Sequence, residues 1–171
     1  MKFIKKLFGK KRQFKNGSMV SIVKWFDRIV VQNSAHTISG YNIDYKPFTL
    51  LEINASAQIL GTILINTLNS NVYKIKDPEF KTKEYNQDRF SAAGVKSERE
   101  YMQNARLITL HYYDDILHLT PTINACRTST QSGGGRFFSA IKEKEIKVEG
   151  IIGAEELGTK INNLFEECIV Q

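Results

Sequence analysis

Glu145–Gln171, EIKVEGIIGAEELGTKINNLFEECIVQ, reads as a short strand, a turn and a closing helix. From Glu155 the apolar side chains fall at Leu157, Ile161, Leu164, Phe165 and Cys168, a spacing that places them on one face of a 3.6-residue helix. Glu155 and Glu156 occupy its first turn, where the helix dipole favours carboxylates by about 0.3 to 1 kcal/mol each. Gly158 borders the apolar stripe. A glycine there costs roughly 1 kcal/mol against alanine, so it predicts a close backbone approach, here assigned to packing on a sheet.

Asn54–Asn71, NASAQILGTILINTLNSN, repeats the pattern. Its Leu60-Gly61-Thr62 matches Leu157-Gly158-Thr159, and Ala57 and Asn66 match Ala154 and Asn163. Leu60, Ile63, Leu64 and Leu68 share one face, which Ile59 and Ile65 widen, so this copy is expected to be the more buried helix. Each helix follows a strand. The chain therefore reads as two strand-then-helix units, whether by duplication or as two ordinary helices on one sheet.

Working outward, 171 residues make one domain with a core of its own, needing no metal or disulfide staple. Cys126 and Cys168 lie in apolar surroundings without metal-type spacing and read as reduced buried thiols of a cytoplasmic protein. The net charge of +6 sits in one place. Residues 1–16 hold seven of the 24 Lys and Arg and no acid, which leaves 17 basic against 18 acidic residues in 17–171. Charge belongs to a basic N-terminal tail, residues 1–16, and not to the domain of 17–171. The tail lacks the apolar run of a secretory signal, and no stretch has the length of a membrane span. It reads as a solvated arm, an amphipathic helix on the core or on an anionic membrane, or a phosphate-binding arm.

Ser18–Gln32 is rich in Val, Ile, Trp and Phe and predicts two strands turning near Asp27 and Arg28, with Trp25 in the core. A Gly40 turn follows, then Pro47 and a strand through Phe48 to Ile53. Val72–Gln103 is the least regular part, with a helix from Ser97, whose side chain caps the turn containing Glu98 and Glu100. Arg106–Pro121, RLITLHYYDDILHLTP, is the clearest hairpin. With Asp114 and Asp115 as its two-residue turn, residues whose numbers sum to 229 face each other. Ile108, Leu110, Tyr112, Leu117 and Leu119 then face the core, and Thr109, His111, Tyr113, Ile116, His118 and Thr120 face away. Thr122–Thr130 and Arg136–Ile141 form the next strand pair, turning through Gln131–Gly135.

Reaction chemistry is hard to find in this pattern. His111 and His118 oppose each other across the hairpin, but two histidines without a third ligand do not make a metal site. Ser132–Arg136 has three glycines but neither the Lys-Ser/Thr of a phosphate loop nor spaced dinucleotide glycines. No nucleophile elbow or His-Glu-x-x-His run occurs. The expectations are no enzyme, no catalytic residue, no metal, no cofactor and no small-molecule substrate. Acidic pairs stand out instead: Asp114 and Asp115 at the hairpin tip, and Glu166 and Glu167 in the last helical turn, where the dipole disfavours them. They read as a solvated turn and a frayed end, or as an acidic patch that captures a basic partner.

In order along the chain, three features resemble the immunity proteins of bacterial contact-dependent growth inhibition, the CdiI type. They are Ala92–Ala105 (AAGVKSEREYMQNA), the hairpin ending in Thr120-Pro121 with a glycine-rich stretch after it, and the Glu156-Leu157-Gly158 helix ending near Cys168. Together they cover roughly residues 90–168, and the Leu60-Gly61 helix extends the likeness towards residue 20. The resemblance implies an α+β protein of the cytoplasm, a mostly antiparallel sheet with hairpins packed against two or three helices. It implies stoichiometric neutralisation of its partner, the cognate toxin C-terminal domain of a CdiA-type effector, often a nuclease. A groove or strand edge would meet the toxin, with Tyr113, Asp114, Asp115, Glu166 and Glu167 as candidate contacts. The alternative is an adaptor that binds nucleic acid or a membrane surface through residues 1–16.

Overall fold

The computed structural model describes residues 13–77, 83–126 and 136–171, except the side chains of 83–86, 126 and 136. Nine strands and four helices are found among them, in one mostly antiparallel open sheet. β1 (Met19–Lys24) and β2 (Arg28–Thr37) form the first hairpin, turning at Trp25–Asp27 as the sequence indicates. β3 (Asn42–Glu52) runs through Pro47 and pairs with β2, with a register shift at Gln32/Asn33. Sheet order is β3-β2-β1-β5-β6-β7. Pro47 therefore sits on an edge strand, where its missing N–H costs no inner ladder bond.

β5 (Arg106–Tyr113) and β6 (Ile116–Cys126) pair in the register read from the sequence, Ile108 with Pro121 through Tyr113 with Ile116. Asp114 and Asp115 have φ of 52° and 62°. Such a pair of left-handed residues makes the turn that matches strand twist. β6 differs from expectation in being one strand of 11 residues, not two. Its first half pairs with β5 on one side and β8 (Ile146–Glu149) on the other. Its second half pairs with β7 (Arg136–Ala140) and, in parallel, with β9 (Ile169–Val170). The Gln131–Gly135 turn lies outside the described residues.

One face of the sheet carries the main core. Val20, Ile22, Val31, Ile108, Leu110, Leu117 and Leu119 pack beneath α1 (Ala57–Asn69) and α4 (Ala154–Leu164). Ser56 caps α1 by accepting from the Ile59 N–H at 3.3 Å, and Ile59 itself is half exposed, so the stripe is narrower than expected. The close approach announced by Gly158 is to the other helix, not to the sheet. A Cβ on Gly158 would lie 1.9 Å from the Ala57 carbonyl oxygen, and one on Gly61 would lie 1.7 Å from that of Ala154. The repeated Ala-x-x-x-Gly thus makes a reciprocal contact between two helices, with backbone against backbone.

The opposite face is covered only in part. α2 (Lys83–Ala93) and α3 (Glu98–Met102) bring Ala93, Tyr101 and Met102 over Val23, Trp25 and Val30, while β4 (Val72–Ile75) pairs in parallel with the end of β2. Ser97 caps α3 as expected, accepting from the Glu100 N–H at 3.3 Å. α2 was not expected, because Lys83–Ala93 has hardly any apolar stripe. Its exposed Asp88 pairs with Lys46 at 3.2 Å, and Arg89 reaches Asp44 at 3.6 Å and Glu98 at 2.6 Å. Among the described residues, no helix is long and apolar enough to cross a membrane.

Residues 13–18 lie against the body. Phe14 is buried and meets Tyr112 edge-on at 5.4 Å. The Gln13 amide donates to the Ile152 carbonyl and accepts from the Ile152 N–H, both at 2.8 Å. Gly17 donates to the Tyr112 carbonyl at 2.7 Å. The other basic residues of the tail, up to Arg12, lie outside the described residues.

Candidate functional site

Along β5 the outward-facing residues change from apolar to polar: Leu107, Thr109, His111, Tyr113. On β6 the partners of Thr109 and His111 are Thr120 and His118. Beyond α3 this strip opens into a concavity of about 300 Å³, floored by these strands and Met19 of β1, with Lys142 and Glu145 at its rim. The last two belong to the irregular link between β7 and β8, a single 3-10 turn at Lys142–Lys144. That link bulges off the edge of β6 and folds a carboxylate over the sheet.

Glu145 is the hub. Its carboxylate lies 3.1 Å from His118 Nδ1 and accepts from Thr120 Oγ1 at 3.0 Å. Lys142 and Lys147 stand 3.6 and 3.9 Å away. Burial pushes the Glu145 carboxyl up, but the bonds from His118 and Thr120 outweigh it and hold the group below its ordinary value. His118 is only 5% exposed, against the sequence expectation of an open face. Tyr113 explains this, its ring lying flat on the imidazole at 3.9 Å with the hydroxyl 3.2 Å from Nδ1. His118 Nε2 is buried and has no hydrogen-bond partner among the described residues.

His111 also meets Tyr113, its ring tilted against the phenol with 4.8 Å between ring centres. Burial lowers the His111 pKa first, and electrostatic interactions with His36, His118 and Lys142 lower it further. His36 stacks on Tyr73 at 4.8 Å, with Nε2 2.7 Å from the Gly17 carbonyl, and the Lys15 ammonium sits 3.4 Å from the Tyr73 ring centre.

An imidazole oriented by a carboxylate is half of an acid–base device, but a nucleophile bonded to the free nitrogen is its other half. No such bond reaches His118 Nε2 among the described residues. Nor do three or more His, Cys, Asp or Glu side chains among them group to hold a metal. The buried thiol of Cys168 is 3.4 Å from the Leu107 carbonyl, and burial raises its pKa.

The five residues singled out in the sequence do not form one patch. Tyr113 lines the concavity, and Asp114 and Asp115 stand beside it at the tip of the β5-β6 hairpin, where the Asp114 N–H donates to Asn16 at 3.1 Å. Glu166 and Glu167 follow α4 near the start of β5, about 20 Å of strand away. Glu166 is 3.8 Å from Arg106 and Glu167 is 3.0 Å from Lys144. Arg106 also lines a second concavity of about 280 Å³ with Lys24, Trp25, Phe26 and Ile53. Phe26, on the β1-β2 turn, is 83% exposed. The sequence reading passed over His111, Glu145 and Lys142 as site residues, since only the cross-strand pairing of His111 with His118 could be seen in it.

No family model matches the chain, and no curated protein matches it. Solved structures similar to it include the following two. One, the "Protein of Unknown Function NMB0488 from Neisseria meningitidis", has a TM-score of 0.68 at 14% identity, covering 94% of this chain and 98% of that one. The other belongs to the "CdiA-CT/CdiI toxin and immunity complex from Yersinia pseudotuberculosis", with a TM-score of 0.63 at 12% identity, covering 90% of this chain and 98% of that one. At these identities the likeness concerns the fold.

Proposed function

We propose that this protein is the immunity partner of a contact-dependent growth inhibition effector, and that it neutralises the effector's C-terminal toxin domain by binding it stoichiometrically in the cytoplasm. The observation that carries the reading is the likeness to a chain of a toxin and immunity complex over 98% of that chain's length. The order of the three sequence features supports the same family. The toxin domain is a nuclease on this reading. Its contact is the polar concavity and the neighbouring hairpin tip, with Tyr113, Asp114 and Asp115 meeting it directly. Glu166 and Glu167 form a second contact near the start of β5.

Neutralisation requires recognition and no turnover, and a curved strip bordered by acidic tips and lysines suits a partner with charges of both signs. The test is survival of cells expressing the C-terminal domain of the effector encoded beside this gene, with and without this protein. Protection is expected. Death despite good expression of the protein would contradict the reading.

A further inference from the structure

The concavity has an electrostatic sign that the acidic hairpin tip hides. Its one carboxylate, Glu145, is already engaged by His118, Thr120 and two lysines. What remains for a visitor are donors. The His111 imidazole makes no hydrogen bond to a described residue, and the Lys142 side chain is 74% exposed. The titratable groups around His111 are His36 of β2, Tyr113 beside it on β5, His118 of β6, and Lys142 and Glu145 of the β7-β8 link, with Lys147 on β8 behind Glu145. Apart from Glu145 these are neutral or positive.

We infer that this concavity is an anion site, which takes a carboxylate between His111 and Lys142 and couples its binding to a proton on His111. The source of the carboxylate is an acidic side chain of the toxin, and this part rests on the function proposed above. An anion beside the ring offsets the cost of charging it, so anion and proton each tighten the binding of the other.

The test begins with the full chain alone, titrated with sodium acetate at constant ionic strength while the histidine ring signals are followed by NMR. Saturable movement of the His111 signals is expected, with affinity rising roughly threefold or more from about pH 7.5 to pH 5.5. Lys142→Gln is expected to weaken the binding by a similar factor. Movement that never saturates, or that Lys142→Gln leaves unchanged, would overturn the site whatever the toxin does. The second arm measures toxin-domain affinity over the same pH range for the wild type and His111→Gln. A carboxylate supplied by the toxin predicts tighter binding towards acid pH, flattened in the variant. Equal profiles would exclude the toxin as the source and leave a site for free carboxylates. Acetate binding without any toxin complex would refute the immunity reading and keep the anion site.

Discussion

Asn124 is fully buried in β6, and its amide donates to the Met102 and Ala105 carbonyls at 2.7 and 2.8 Å. It fixes the end of α3 to the sheet. Asn124→Ala is expected to destabilise by about 2 to 4 kcal/mol in urea unfolding, since two carbonyls lose their donor. Asn124→Asp should be no better, because it sets a carboxylate against them. Two further residues set the pH response. Glu145 has a lowered pKa, so its stabilisation is present at neutral pH and lost as the pH falls below its ordinary value of 4.5. His111 is also lowered, but for an imidazole this means that the unfolded chain binds the proton more readily. Stability therefore falls as the pH drops through the ordinary value of 6.5. Unfolding midpoints of Glu145→Gln and His111→Gln against pH check both signs: the first should lose its deficit in acid, and the second should flatten the slope near neutrality. In the sequence, the alternation along the hairpin told which residues face the core. It could not reveal that Glu145, 27 residues away, folds back onto His118.

At the scale of elements, the contact between α1 and α4 is the most sensitive joint. Gly158→Ala places a methyl group 1.9 Å from the Ala57 carbonyl oxygen, so the helices must separate, at a cost of about 3 kcal/mol or more. Gly153→Ala meets no atom within 4 Å and should stay within about 0.5 kcal/mol of wild type. Thermal or urea unfolding of the pair compares them directly. Both helices were legible as amphipathic stripes, and so was the need for a close approach. The partner was not, because a glycine records how much room is needed and not which backbone fills it. α2 was illegible for a different reason. Its hold on the fold comes from Phe90 and from charged contacts to β3 and α3, pairs that have no periodicity to read. Phe14 shows the same limit for the N-terminal segment, whose lysines drew attention away from a core aromatic. Phe14→Ala should cost about 3 kcal/mol or more in urea unfolding.

For the whole molecule, the α+β class followed from strand alternation and two helical stripes, whereas the order of strands required pairings up to 92 residues apart, Met19 of β1 with His111 of β5. The basic charge of residues 1–12 and the acidic and basic groups of the body make separable claims. An adaptor working through its basic segment would lose function on deletion of residues 2–12, with binding that falls steeply with salt. An inhibitor working through the folded body keeps its protection after that deletion, provided Gln13 and Phe14 remain. The most direct measurement is a calorimetric titration of the purified full chain with the C-terminal toxin domain of the effector encoded beside it. A one-to-one complex with a Kd on the order of 1 nM or tighter, about −12 kcal/mol, is expected. No detectable binding, or binding only in the micromolar range, would contradict it.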